Sequence, residues 1–215
     1  MLPKVSFIIP CYKQDQLMRE AILSCLNQEV KLFEIIVVDD GSPDNTSTIA
    51  KEYPVKLIQQ ENKGLPAARN AGIKEARGEW IVCLDADDKV REDFIGKFLN
   101  VDGDIISVGV QEFGDCNRNW STKIKNPTYY DMILNGNLLI CSSPFKKKVW
   151  ETIRGFDENM RDGYEDYDFW LRALKAGFKI TSIPDQIFLY RRHGQTMSQQ
   201  SVQKHDKLMD YILSK

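Results

Sequence analysis

Residues 81–88 read Ile81-Val82-Cys83-Leu84-Asp85-Ala86-Asp87-Asp88, an apolar run that ends abruptly in three carboxylates within four residues. The apolar part is typical of a buried strand. Carboxylates crowded at its carboxyl end repel one another unless a cation or a hydrogen-bonded ligand lies between them. Because aspartate also favours turns and helix caps, an ordinary turn is an equal alternative. If the cluster binds a metal, its oxygen ligands favour Mg²⁺ or Mn²⁺, which complete their shells with water and substrate phosphates.

The length and composition of the chain limit the classes of protein to which it can belong. With 215 residues, the chain has the length of one large α/β domain. It has 29 Lys and Arg residues and 31 Asp and Glu residues, so its charge is nearly balanced. The sequence therefore has no overall positive field that would attract a nucleic acid. Five cysteines without a C-x-x-C pair indicate reduced thiols. No apolar stretch approaches the roughly 20 residues of a transmembrane segment, and residues 1–5 lead into a strand instead of a signal peptide. We expect a cytoplasmic protein, and leave open its oligomeric state and a peripheral association with the inner face of the membrane.

The first half of the chain alternates strand and helix patterns, which indicates a mostly parallel sheet with crossover helices. The predicted strands are Val5–Pro10, Phe33–Asp39, Val55–Gln59 and Trp80–Leu84. The predicted helices are Gln16–Gln28, Thr46–Tyr53 and Leu65–Ala76. In such sheets ligands bind at the carboxyl ends of the strands. This places Tyr12, Asp39, Asp40 and Asp85 to Asp88 on one edge.

The second half is less regular. We expect a strand at Asp104–Gln111, a short helix within Asn126–Gly136 and helices at Lys146–Ile153 and Glu165–Ala176. Two strands, Phe178–Ser182 and Gln186–Tyr190, lead into a polar stretch. An amphipathic helix at Ser201–Ser214 closes the chain, and the expectation for its apolar stripe is that it covers the core.

Three further segments carry candidate site residues. Asp39 and Asp40 end a strand directly, where aspartate is depleted, although Gly41 to Asn45 is well explained as a turn. Arg69 lies in a helix whose amino end favours anions; it is either a fork-shaped donor to a phosphate or a carboxylate, or an exposed helix residue. Lys63 precedes that helix.

A second acidic cluster, Glu165-Asp166-Tyr167-Asp168, stands at a helix start. The helix dipole alone would favour acids there. Three acids beside aromatic residues exceed what capping requires, and a carboxylate in an apolar setting gains the basicity that a general base needs. His193 follows in a polar loop, where it is either a structural histidine or a contact to a metal or a phosphate.

Taken together and in order, these segments resemble the nucleotide-sugar glycosyltransferases of family 2, which have the GT-A fold. The matching pieces span nearly the whole chain, and they are Ser6 to Tyr12, Val38 to Ser42, Asn62 to Gly64, Ala68 to Asn70, Asp85 to Asp88, Gly155 to Glu158, Glu165 to Asp168 and Tyr190 to His193. The Gln-X-X-Arg-Trp pattern of the processive polymerases is absent, which favours single or few transfers.

The resemblance implies one α/β domain of the GT-A type, comprising residues 1–215. A Rossmann-like nucleotide-sugar-binding half would occupy residues 1–100, a less regular acceptor and catalytic-base half residues 101–198, and a C-terminal helix residues 199–215. It implies transfer, with inversion, from a nucleotide-diphosphate sugar, with a UDP-sugar favoured, to a hydroxyl of a glycan or lipid-linked acceptor in polysaccharide or glycan assembly. Mn²⁺ or Mg²⁺ would be the cofactor.

By the same resemblance, the residues fall into three groups. Asp166 would be the catalytic base and Glu165 its acceptor-orienting neighbour. Asp87 and His193 would contact the metal. The nucleotide-sugar-binding residues would be Pro10, Tyr12, Asp40, Lys63, Arg69, Asp85 and Ala86.

Other classes are less consistent with the sequence. A catalytically silent binding module of the same fold is the main alternative, and retention of every acid argues against it. A dinucleotide-dependent oxidoreductase would share the alternating pattern, but the first strand is followed by no G-x-G-x-x-G. The stretch Asn117 to Ser143 has no pattern that we can assign to a particular acceptor sugar.

Overall fold

The computed structural model describes residues 3–194 and 203–215. The strands in these residues are β1 (Val5–Cys11), β2 (Phe33–Asp39), β3 (Lys56–Gln59), β4 (Trp80–Cys83), β5 (Lys89–Val90), β6 (Ile105–Gly114), β7 (Asn119–Trp120), β8 (Phe145–Lys146) and β9 (Ile180–Arg192). The helices are α1 (Asp15–Leu26), α2 (Thr46–Ala50), α3 (Leu65–Lys74), α4 (Phe94–Phe98), α5 (Tyr129–Asn135), α6 (Lys147–Ile153), α7 (Glu165–Lys175) and α8 (His205–Leu213).

The strands form one mixed sheet in the order β3-β2-β1-β4-β8-β6-β9-β5, and β7 pairs with β6. Strands β3, β2, β1 and β4 run parallel to one another, as do β6 and β9. The two-residue strand β8 is antiparallel to both β4 and β6 and joins the two halves. The predicted α/β fold with a mixed, mostly parallel sheet is confirmed.

The carboxyl ends of β1, β2 and β4 meet at one edge of the sheet. Cys11 at the end of β1 is paired with Asp39 at the end of β2, and Ile8 is paired with Cys83 at the end of β4. The loops after these strands therefore start side by side, which confirms that the acidic strand ends share one edge.

Helices cover both faces of the sheet because its central strands are apolar on both sides. On one face the core contains Phe7, Trp80, Phe94 and Phe98. On the other it contains residues of α3, α6 and α7, among them Phe169 and Trp170. Gly72 lets α3 approach the sheet closely, since a Cβ there would lie 2.4 Å from Ile8 Cγ2.

One expectation for the second half and one omission in the first half need correction. Phe178–Ser182 and Gln186–Tyr190 belong to the single strand β9, which pairs with β6 through register shifts around Gly109. Pro184 lies in this irregular part, where a missing N–H is tolerated. The short helix α4 follows the acidic loop and was not predicted.

The C-terminal helix begins later than predicted. Positions 201 and 202 of the predicted Ser201–Ser214 lie outside the described residues, and α8 runs from His205 to Leu213. Leu208 and Ile212 are buried, as expected for a helix that covers the core. Among the described residues, no helix has the length and apolarity that crossing a membrane requires.

Candidate active site

Arg69 joins the two acidic clusters. Its guanidinium is buried and donates from Nη2 to Asp85 Oδ1 at 2.7 Å and from Nη1 to Glu165 Oε1 at 2.5 Å. The guanidinium also lies over the ring of Phe156, with Cζ 5.6 Å from the ring centre. Arg69 is therefore a fork-shaped donor between carboxylates, and the exposed-helix interpretation is wrong. One buried cation neutralises acids that are 80 residues apart in the chain, at 85 and 165.

The loop after β4 holds its carboxylates in different ways. Burial raises the pKa of Asp85, and the positive charge of Arg69 opposes this rise. Burial also raises the pKa of Asp88 well above its usual value, and the charges of Asp87 and Asp85 add to the rise. Asp88 Oδ1 accepts the backbone N–H of Arg191 at 2.8 Å, which ties the loop to β9. Ala86, which follows Asp85 in the same loop, is buried.

Asp87 and His193, the two predicted metal contacts, lie together. His193 Nε2 is 2.9 Å from Asp87 Oδ2 although the residues are 106 positions apart. Arg191 Nε donates to the carbonyl oxygen of Asp87 at 2.7 Å and fixes that residue's backbone. Two ligands on adjacent corners of an octahedron about 2.1 Å from Mg²⁺ would be about 3 Å apart, so this spacing fits such an ion.

The protein would supply few of the ligands of a metal ion at this site. Within residues 3–194 and 203–215, no group of three or more His, Cys, Asp or Glu side chains is arranged to hold a metal ion. Asp87 and His193 would supply two ligands. Mg²⁺ and Mn²⁺ commonly take only one or two protein ligands and bind substrate phosphates and water at the other positions. The pair therefore suits a metal that arrives with a diphosphate.

The surroundings of Asp166 orient its carboxylate and make it more basic. Its Oδ2 accepts from Asn137 Nδ2 at 2.9 Å, and its Oδ1 accepts the backbone N–H of Tyr167 at 2.8 Å. Burial raises the pKa of Asp166 to about 7, the charge of Glu165 adds to the rise and that of Arg69 opposes it. A carboxyl group with a pKa near neutrality has the proton affinity of an effective general base. Glu165, by contrast, is held by Arg69.

The start of α7 is shaped by Tyr164. This residue has φ +63°, in the left-handed region, immediately before Glu165. Its hydroxyl lies 3.0 Å from His205 Nδ1 at the beginning of α8. The C-terminal helix therefore contacts the turn that presents Glu165 and Asp166.

The predicted nucleotide-binding residues at the other side of the edge differ in their surroundings. Asp40 is buried, and its carboxylate accepts the backbone N–H groups of Lys63 and Gly64, both at 2.9 Å. Gln60 Nε2 donates to the same carboxylate at 2.7 Å. Asp40 thus holds the loop that precedes α3. Pro10 is buried, whereas the Tyr12 and Lys63 side chains are exposed.

Asp39 holds a different segment of the backbone from the one that Asp40 holds. Its carboxylate accepts the backbone N–H of Ser42 at 2.8 Å and also the hydroxyl of Ser47. Asp44 Oδ1 accepts the N–H of Thr46 at 3.1 Å. These contacts confirm the turn interpretation for Gly41 to Asn45.

Sequence reasoning missed two residues that position the site. Asn137 contacts Asp166, but it lies in the stretch 117–143, which has no recognisable pattern. Arg191 contacts Asp87 and Asp88, and its position next to His193 in the predicted polar segment was the available signal. An open cleft of about 660 Å³ runs along α3 and α6, and its wall includes Lys63, Asn70 and Trp150 but neither Asp87 nor Asp166.

Comparison with known proteins identifies the family. Residues 6–165 match the family model described as Glycosyl transferase family 2. The chain belongs to this family. It is 36% identical over 195 residues to the uncharacterized glycosyltransferase RT0329 of Rickettsia typhi, covering 81% of this chain and 59% of that protein. It is 31% identical over 216 residues to the succinoglycan biosynthesis protein ExoO of Rhizobium meliloti, covering 88% of this chain and 61% of that protein. The chain thus spans about three fifths of the length of these relatives.

Solved structures of other transferases share the fold of this family 2 chain. The TarS fragment 1–349 of S. aureus in complex with UDP-GlcNAc superposes with a TM-score of 0.75 at 23% identity, covering 91% of this chain and 60% of that one. The mannosyltransferase PcManGT of Pyrobaculum calidifontis, in complex with GDP-Man and Mn²⁺, superposes with a TM-score of 0.71 at 20% identity, covering 98% and 65%. At these identities the likeness shows the fold.

Proposed function

We propose that the chain transfers a sugar, with inversion, from a nucleotide-diphosphate donor, with a UDP-sugar favoured, to an acceptor hydroxyl. The observation that carries this proposal is that Arg69 donates to both Asp85 and Glu165. It thereby holds the loop that carries Asp87, which lies beside His193, against the start of α7, which carries the basic Asp166. Family membership and the nucleotide-sugar complexes of TarS and PcManGT support it. The name of ExoO, a succinoglycan biosynthesis protein, favours a place in polysaccharide or glycan assembly. The proposal places this work at the cytoplasmic face of the membrane.

The donor site in this proposal belongs to residues 1–100 and is completed by His193. Asp87 and His193 would hold Mn²⁺ or Mg²⁺, which would supply positive charge to stabilise the departing diphosphate. Asp85 and Ala86 line the ribose and diphosphate position, and Arg69 keeps Asp85 in place. Pro10, Tyr12, Asp40 and Lys63 line the base position.

The acceptor site belongs to residues 101–198, and the C-terminal helix after it is α8 (His205–Leu213). Asp166 accepts the proton of the acceptor hydroxyl as that oxygen attacks the sugar, and a single displacement inverts the anomeric carbon. Asn137 and the N–H of Tyr167 orient the carboxylate. Glu165, fixed by Arg69, orients the acceptor.

Metal-dependent nucleotide binding tests the donor site. The melting temperature of the protein with UDP, GDP or dTDP should rise by about 5–10 °C at saturating ligand, and only when Mn²⁺ is present. Asp87→Ala and His193→Ala should each lose most of this rise because each removes a metal ligand. Asp102→Ala, which changes an exposed loop aspartate, is the matched control and should keep it. A rise of the same size in Asp87→Ala, or no rise with any nucleotide, would contradict the donor-site assignment.

The pH dependence of transfer tests the base. Asp166 accepts a proton only as the carboxylate, so kcat should fall as the pH drops through about 7. Glu165→Gln removes a negative charge beside Asp166 and leaves the Arg69 charge less compensated, and both changes lower the pKa of Asp166. The acid limb of the pH profile should therefore move to lower pH. Glu75→Gln, which alters an exposed ion pair with Lys56, should leave the limb in place. An acid limb that stays or moves upward in Glu165→Gln would count against Asp166 as the base.

A further inference from the structure

The segment 118–134 exposes large apolar side chains. Tyr130 is 75% exposed and Leu134 is 81% exposed. They are four residues apart in α5 and therefore share one face of that helix. Trp120, in β7 of the same segment, is 39% exposed. Exposed apolar side chains that share one face, as Tyr130 and Leu134 do, mark interaction sites, unlike scattered ones.

Positive charge accompanies these side chains. Lys123 and Lys125 are exposed in the same segment. Asp131 is the single acidic residue between positions 118 and 134. Its carboxylate is engaged in a capping box, where it accepts from the Thr128 N–H at 2.8 Å and from the Thr128 hydroxyl at 2.6 Å. The segment is therefore locally positive although the chain has a net charge of -2.

Contacts tie this segment to the candidate base. The Tyr167 hydroxyl donates to the carbonyl oxygen of Met132 in α5 at 2.6 Å. Asn137, two residues after the end of α5, donates to Asp166 at 2.9 Å. A surface that binds Tyr130 and Leu134 would therefore lie next to the acceptor side of the site.

We propose that the segment 118–134 docks on an anionic phospholipid surface. Aromatic rings and a leucine would enter the interfacial layer, and Lys123 and Lys125 would contact lipid phosphates. The charge complementarity favours an anionic lipid over an apolar protein partner. Docking in this orientation brings Asp166 to the membrane, where an acceptor carried on a lipid would present its hydroxyl. That last consequence rests on the proposed function, whereas the docking does not.

Vesicle sedimentation tests the docking. The protein should bind vesicles of phosphatidylcholine mixed with phosphatidylglycerol at least tenfold more tightly than vesicles of phosphatidylcholine alone, and added salt should weaken this binding. Tyr130→Ser/Leu134→Ser should lower the partition coefficient about tenfold or more, because both apolar side chains leave the interface. Lys123→Glu/Lys125→Glu should lower it by about fivefold or more for each lysine.

Matched variants exclude general effects of polarity and charge. Leu213→Ser, at a leucine of α8 that is 57% exposed, and Lys4→Glu/Lys51→Glu, at exposed lysines elsewhere, should bind vesicles like the unchanged protein. Either of two results overturns the proposal. The unchanged protein shows no preference for anionic vesicles, or the Tyr130→Ser/Leu134→Ser variant binds anionic vesicles as tightly as the unchanged protein. Sugar transfer to a soluble acceptor, measured in parallel, should be the same in Tyr130→Ser/Leu134→Ser as in the unchanged protein. Vesicle binding without any transfer would leave the docking intact and refute the proposed function.

Discussion

Asp166→Asn should lower kcat by about 10²–10⁴-fold, the usual contribution of a general base. Asparagine has the shape of aspartate and its Oδ1 can still accept the N–H of Tyr167, so the fold should persist. It cannot accept the acceptor's proton. Donor binding should be unchanged, because Arg69 connects the donor side to Glu165 and not to Asp166. The measurement is release of nucleoside diphosphate in the presence of acceptor, beside the melting shift with nucleotide and Mn²⁺.

The outcome separates three accounts of the chain. Unimpaired turnover in Asp166→Asn would assign the base elsewhere, and loss of the melting shift would place Asp166 in the donor site. Metal-dependent nucleotide binding with no turnover by the unchanged protein would favour a silent binding module. Asp102→Asn, at an exposed loop position, is the control and should turn over normally.

Arg69→Met should destabilise the protein by about 3–5 kcal/mol, the usual cost of removing one partner from a buried ion pair. Methionine fills much of the same volume but leaves Asp85 and Glu165 without the charge that neutralises them. For a chain of this size the melting temperature should fall by roughly 6–20 °C. Urea denaturation followed by circular dichroism gives the free energy of unfolding.

Arg77→Met provides the matched comparison for this variant. Arg77 also contacts a glutamate, Glu34, at 2.8 Å, but its side chain is 64% exposed. Its loss should cost less than about 1 kcal/mol, since solvent screens exposed pairs. Equal stability of the two variants would show that neutralisation of Asp85 and Glu165 by Arg69 does not stabilise the fold.

The donor half of the molecule was largely predictable because its strands are continuous apolar runs with turn residues between them. Phe33–Asp39 was predicted with both ends correct, and β1 and β4 differ from prediction by one residue. The βα alternation then places the acidic strand ends on one edge without knowledge of any side-chain contact.

Contacts between distant segments were not predictable in the same way. Nothing local indicates that Arg69 donates to Glu165 or that Asn137 orients Asp166, because both pairs depend on how the two halves pack. The strand that joins the halves, Phe145–Lys146, has only two residues and is too short to show a period. Each of these contacts is a product of tertiary structure.

A crystal structure of the protein with Mn²⁺ and a non-hydrolysable nucleotide-sugar analogue tests the central claim most directly. The metal is predicted to bind Asp87, His193 and the diphosphate, with the anomeric carbon of the sugar facing Asp166. Nucleotide bound in the cleft beside Trp150, or a metal that contacts neither Asp87 nor His193, would contradict it.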